Sequence, residues 1–244
     1  MNMIRAGETI ECHSLDFGRE KINLFLSFCK RKTLRISVHP DKSVTIDAPK
    51  NMKLDDIFTL ARKRAPWILK QKNYFEQFQP LPAARNYISG ETHYYLGKQY
   101  RLKVIKQNKS SVKLRGQYFY IYSSNRNDVK KTETLLNNWY SVHANKIFSQ
   151  RFEICSKIAK KHKIPPPKLR FRKMLKRWGS CTKNGTITLN YELVKAPVHC
   201  IDYVIMHEIC HLKIPSHNKQ FMTLLSKCMP DWERRKERLE KVLV

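Results

Sequence analysis

No two cysteines in this chain are spaced as CxxC. That excludes the zinc ribbons and knuckles that take their ligands from such pairs. It also argues against a zinc nucleobase deaminase, whose chemistry pairs an H-x-E with a later CxxC. The seven cysteines, Cys12, Cys29, Cys155, Cys181, Cys200, Cys210 and Cys228, are odd in number and are expected as reduced, mostly buried thiols. A long apolar run is also missing: no stretch approaches the roughly 20 apolar residues of a membrane-crossing helix. Met1 to Glu20 has no apolar segment of the signal-peptide kind and carries Glu8, Glu11 and Asp16, so a cytoplasmic location is expected. Internal repeats and low-complexity linkers are absent as well.

Acidic residues are scarce. Asp and Glu number 20 against 48 Lys and Arg, a net charge of +28. Thr92 to Asn127 holds eight Lys or Arg and no acid, and Ile154 to Tyr191 holds eleven and again no acid. Such an excess speaks to partners rather than to fold. Polyanions are the natural attractor, DNA or RNA first and an anionic membrane surface second. The alternative is a lysine-rich, solvated surface. Apolar residues make up 41% of the 244, with four Trp, which is enough to build a core.

Periodicity divides the chain into elements. Leu34, Ile36 and Val38 alternate, Pro40-Asp41-Lys42 turns the chain, and Val44 and Ile46 resume the alternation, which predicts a hairpin. From Lys53 the spacing becomes helical, with Pro66 as a potential kink and Pro80 and Pro82 as the end. Short aromatic and β-branched runs at 94–96, 100–105, 111–114 and 118–122 predict an antiparallel meander. A long helix is expected from about Asp128 to Lys161, stopped by Pro165 to Pro167. Strands at 168–174 and 186–191, with Lys183-Asn184-Gly185 as the turn, predict a second hairpin. Helices follow at about 198–213, 218–228 and 230–243. A division near residue 127 is expected: an N-terminal extension over 1–20, a β-rich region with one helix over 21–127, and a C-terminal part over 128–244.

One constellation carries chemistry. His207-Glu208-Ile209-Cys210-His211 is an HExxH motif. Residues i and i+4 share a helix face, so both imidazoles can reach one metal ion, and neutral imidazole is a good zinc ligand. Glu208 stands beside the open coordination position, where a carboxylate can take a proton from water. Ile201 to Met206 are apolar enough for a buried helix around Asp202. Ile214-Pro215-Ser216 ends the helix, and His217 follows as a third ligand at the spacing used by metzincins, with Ile214 where those proteins carry Gly. Glu233, Glu237 and Glu240 are a weaker alternative for the third ligand, because they alternate with Arg and Lys on a solvated helix. His13, His39, His93, His143, His162 and His199 have no partner at ligand spacing, and Cys210 faces away from the metal as a small packing residue. The reaction expected is hydrolysis of a peptide bond, with one Zn²⁺ per chain acidifying water and Glu208 as general base. A nucleic-acid-binding module with a merely structural metal is the rival reading. Glu208 argues against it, as does a count of three protein ligands where structural sites usually have four.

Around the motif, Lys176-Arg177-Trp178-Gly179-Ser180-Cys181, Ile187-Thr188-Leu189-Asn190, Ile201-Asp202-Tyr203-Val204, His217, Phe221 and Met229-Pro230-Asp231-Trp232 resemble the YgjP-like zinc metallopeptidases, relatives of the SprT and Spartan zincins. The Leu34 to Ile46 hairpin, Ala65-Pro66-Trp67-Ile68, and Gly90-Glu91 before Tyr95-Leu96-Gly97 extend the likeness to about residues 20–242. The resemblance implies an α+β fold with a zincin-like C-terminal core, a protein or peptide substrate, and a Thr186 to Asn190 strand bordering the cleft, where an extended peptide could add by backbone pairing. It also draws attention to Arg177, Trp178 and Ser180. Trp178 is expected to pack against the active helix and Gly179 to permit a close turn, while Arg177 or Ser180 could support the site or the substrate. Together with the charge, the SprT likeness points to proteins bound to DNA as one class of substrate.

Overall fold

The computed structural model describes residues 3–5, 8–76, 79, 85–174 and 177–243. Among these, five α-helices and three small sheets form an α+β fold. Two compact units divide at residues 83 and 84.

In the first unit, β1 (Met3–Arg5), β2 (Glu8–Phe17), β3 (Glu20–Cys29), β4 (Arg35–Val38) and β5 (Val44–Pro49) lie in the order β1-β2-β3-β5-β4. The predicted hairpin is present: β4 and β5 are antiparallel, with Ile36 opposite Ile46 and Val38 opposite Val44. Lys42 takes a positive φ of 64° in its turn, and the Asp41 carboxylate accepts from the Ser43 amide at 3.0 Å and hydroxyl at 2.6 Å. Helix α1 (Leu54–Glu76) buries Ile57, Ala61, Ala65 and Ile68 against this sheet, and it continues through Pro66. Its expected end at Pro80 and Pro82 lies outside the described residues. Residues 8–17, expected within an N-terminal extension, instead form β2 and pair with β3 from Ile10 to Phe17.

In the second unit, β6 (Thr92–Tyr95), β7 (Lys98–Lys106), β8 (Ser111–Arg115) and β9 (Tyr118–Ser123) take the order β6-β7-β9-β8. The expected meander is corrected here, because β7 and β9 are parallel. Alternation buries Leu102 and Val104 of β7 and Phe119 and Ile121 of β9; it sets the buried face but not which strand is the neighbour. The first unit has the same plan: two antiparallel hairpins, β2–β3 and β4–β5, are joined by the parallel pair β3–β5, and a helix follows. Topology thus repeats where sequence does not.

Helix α2 (Val129–Lys161) starts at Asp128, whose carboxylate accepts from the Lys131 amide at 2.9 Å. Leu136, Tyr140, Ala144 and Phe148 recur every four residues on its buried face. The division expected near residue 127 does not appear, and the bonds show why. The Leu96 and Gly97 amides donate to the Val194 and Lys195 carbonyls at 2.9 and 3.0 Å, and the Tyr140 hydroxyl donates to the Tyr94 carbonyl at 2.7 Å. At Gly97, with φ +78°, an added Cβ would lie 2.6 Å from the Pro197 ring. The strands at 92–123 therefore share one core with the HExxH helix.

The third sheet contains β10 (Lys168–Arg172), β11 (Gly179–Cys181) and β12 (Thr186–Asn190) in the order β10-β12-β11. A second correction arises here: β10 and β12 are parallel, and the Lys183-Asn184-Gly185 turn closes β11 onto β12. The Thr186 to Asn190 strand is therefore central, with both edges paired, and β10 and β11 are the edge strands. A 3₁₀ turn (Tyr191–Lys195) leads to α3 (Val198–Cys210), α4 (Lys219–Cys228) and α5 (Trp232–Leu243).

Candidate active site

Helix α3 is almost wholly buried: Ile201, Val204, Ile205, Met206 and Ile209 all lie in the core. Full burial of each such side chain contributes about 1.5–3 kcal/mol, which fixes the helix. Asp202, also buried, receives the Arg151 guanidinium in a two-bond fork at 2.7 and 2.6 Å and a second guanidinium, Arg235, at 3.6 Å. This clamp ties α2 and α5 to α3 five residues before His207.

The helix ends at Cys210 rather than near Lys213, and the amide of Ile214 bonds back to the Cys210 carbonyl at 3.0 Å. The chain then turns, and Asn218 caps α4 by accepting from the Phe221 amide at 3.0 Å. That turn returns His217 to the helix. The Nε2 atoms of His207, His211 and His217 lie 3.2, 3.0 and 2.9 Å from one another. Donors arranged around one ion at about 2 Å in a near-tetrahedral site stand roughly this far apart. Among the described residues this is the one His, Cys, Asp or Glu cluster that could hold a metal ion. Glu233, Glu237 and Glu240 take no part in it; Glu237 pairs with Lys241 and Glu240 with Lys236.

The electrostatics suit a cation. His211 donates from Nδ1 to the Ile214 carbonyl at 3.1 Å, which leaves the Nε2 lone pair free. Burial, then the neighbouring His211 and His217, push the His207 imidazole down to about 3, so it is neutral near pH 7. Burial also lowers His211. Phe221, fully buried, touches all three rings: it stacks on His211 at 4.5 Å and meets His207 and His217 edge-on at 5.0 Å each. Tyr203 adds an edge contact to His207 at 5.7 Å and stacks on Trp232. These residues therefore fit a zinc ion: three imidazole donors converge, each held by packing or a hydrogen bond.

Glu208 is 8% exposed. Burial raises its carboxyl to about 7, with the Arg177 charge acting in the opposite direction. It faces a cleft of ≈360 Å³ bounded by Arg177 and Ser180, by Cys181 of β11, and by the three histidines. Trp178 does not line the cleft but packs on the core. Gly179 was expected in a close turn; it instead lies in β11 directly against Glu208. A Cβ there would meet Glu208 Cγ at 2.7 Å and Oε1 at 2.8 Å.

Asn190 shapes the site in a way not expected from the sequence. Its buried amide donates to the carbonyls of Met174 and Arg177 at 2.8 and 2.9 Å, and its oxygen accepts from the amides of Met174 and Glu192 at 3.2 Å each. It thereby holds the segment that carries Arg177. An Asn closing an apolar strand, at 187–190, was the available signal.

The YgjP-like metallopeptidase domain matches residues 32–242 of this chain. The chain belongs to the YgjP-like metallopeptidase family. It is accordingly a peptidase, a hydrolase whose substrate is a protein or peptide, and its family implies a metal. No curated protein matches the chain. Among solved structures, it is similar to the metallopeptidase zymogen abylysin of Pyrococcus abyssi, at 28% identity over 37% of this chain and 86% of that one, with a TM-score of 0.33. No described helix is long and apolar enough to cross a membrane.

Proposed function

We propose that this YgjP-like protein is a zinc-dependent peptidase in which His207, His211 and His217 hold one Zn²⁺ and Glu208 is the general base. The convergence of three Nε2 atoms beside a buried carboxylate in one cleft carries this reading. Bound zinc supplies an acidified water and polarises the scissile carbonyl. Glu208 takes the proton of the attacking water and returns it to the leaving amine. Its raised proton affinity suits both halves of that exchange.

An extended substrate lies along β11, the edge strand that lines the cleft, and pairs with the backbone of Gly179 to Cys181. Ser180 and Arg177 border that path, and Arg177 opposes the protonation of Glu208. Proteins associated with nucleic acid are the substrates we favour, because a net charge of +28 concentrates the enzyme on polyanions.

Mapping new protein N-termini in digests by wild type and by Glu208→Gln, with and without DNA, tests this reading. Cleavages made by wild type alone, enriched among DNA-bound proteins when DNA is present, are expected. Identical products from both enzymes would overturn the role of Glu208, and indifference to DNA would overturn the substrate class.

A further inference from the structure

The sheet β6-β7-β9-β8 has a second face that the core does not use. Phe119 and Ile121 point inward from β9, so Tyr118, Tyr120 and Tyr122 form a row on the opposite side, each partly exposed. Register places a cation on both flanks of the first two rings. Tyr118 lies between Arg101 of β7 and Arg115 of β8, and Tyr120 lies between Lys103 and Lys113. All four cations are exposed. Among the described residues, none of them has a carboxylate within salt-bridge reach, and the stretch from Thr92 to Asn127 contains no acid at all.

The rings are already matched to positive charge. Lys103 Nζ sits 4.1 Å from the Tyr118 centroid and 5.6 Å from that of Tyr120, and Lys113 Nζ sits 5.8 Å from that of Tyr122. Tyr118 and Tyr120 are 6.0 Å apart, centroid to centroid. That is close to the spacing of alternate side chains along a strand, about 6.6 Å, and the 54° tilt between the two rings leaves them touching but not stacked face to face.

From this juxtaposition we infer that the outer face of β7-β9-β8 is a binding platform for single-stranded nucleic acid, with Tyr118, Tyr120 and Tyr122 stacking on bases and the flanking Lys and Arg meeting phosphates. Unpaired bases present flat faces to aromatic rings, whereas the bases of a duplex are stacked on one another and closed to them. Phosphates take the place of carboxylates as counter-ions. An anionic membrane would use the same cations, but it gives a row of half-buried tyrosines nothing to stack on. The inference gives the nucleic-acid link proposed above a location. It does not depend on the peptidase chemistry, because binding is read in full-length, zinc-loaded Glu208→Gln as well as in wild type.

The test is fluorescence anisotropy of a short labelled oligothymidylate, titrated at several salt concentrations. Each of Tyr118→Leu, Tyr120→Leu and Tyr122→Leu keeps charge and apolar bulk and is expected to weaken binding by about tenfold. Lys103→Gln with Lys113→Gln is expected to flatten the dependence of log affinity on log salt by about 0.7 for each phosphate of the single strand that is no longer neutralised. All variants are expected to keep wild-type zinc content and peptide turnover, which shows that they fold. Three outcomes would overturn the inference: tyrosine variants that bind as wild type does, a duplex bound as tightly as the single strand, or binding to phosphatidylserine vesicles with none to the oligonucleotide.

Discussion

Gly179 and Glu208 are in contact across the active-site cleft, and only a hydrogen at position 179 leaves room for the carboxylate. A Cβ there would stand 2.7 Å from Glu208 Cγ and 3.0 Å from Cδ. The glycine of the Arg-Trp-Gly-Ser run thus belongs to the positioning of Glu208 and does not serve a turn. Gly179→Ala is expected to displace the carboxylate while the three histidines stay in place. Turnover should fall on the order of 10²-fold, the scale set by misplacing a reacting group by about 1 Å, with zinc content unchanged. Turnover at the wild-type level would show that Glu208 tolerates the shift.

Metal removal should be felt as stability, since an ion that binds the folded chain alone adds to its free energy of unfolding. At a free zinc concentration of about a thousand times Kd the gain is about 4 kcal/mol. A chelator is therefore expected to lower the Tm of the wild type. The Tm of His211→Ala, which removes one of the three proposed ligands, its Nε2 3.2 and 3.0 Å from the other two, should respond far less. Equal responses of the two proteins to the chelator would speak against the three-histidine site.

Arg151 and Asp202 hold α2 to the active helix through a two-bond fork. Arg151→Met leaves the buried carboxylate with the more distant Arg235 alone. Removing one partner of a charged, hydrogen-bonded pair costs about 2–3 kcal/mol here, at the lower end for buried pairs because Arg151 is partly exposed. Urea unfolding measures it, and a change within error of zero would mean that the clamp is ornamental.

His93 supplies a pH dependence away from the metal. It is 3% exposed, and burial holds its imidazole at about 4, against the pull of the Glu91 carboxylate at 3.4 Å. The unfolded chain, with an ordinary histidine near 6.5, binds the proton first as pH falls. Stability from this residue is thus complete above about 6.5 and declines as pH drops toward 4, by on the order of 2–3 kcal/mol. The difference in stability between wild type and His93→Gln should narrow over that interval. A difference that stays constant with pH would show that His93 is not buried as the neutral form.

Much of this site was legible because it is local. His211 stands four positions after His207, and His217 six positions after His211, so helix geometry and one turn bring them together. The partner strands were not legible in the same way. Alternation at 100–105 and 118–122 marks the buried face, yet nothing in it says that β7 and β9 run parallel, or that β10 and not β11 is the parallel neighbour of β12. The unit boundary was misplaced for the same reason: the hydrogen bonds of Leu96 and Gly97 with Val194 and Lys195 span about a hundred residues of sequence. Gly179 acts through one close approach to Glu208, and Asn190 through bonds to backbone 13 and 16 residues away, and neither partner can be read from composition.

The most direct test of the central claim is the rate of peptide cleavage by zinc-loaded Glu208→Gln beside wild type at equal zinc content. Glutamine keeps the shape of the side chain and cannot accept the proton. A loss of about 10²–10⁴-fold, the contribution of a general base, with one zinc retained per chain, is the predicted result. Cleavage as fast as wild type would contradict the account.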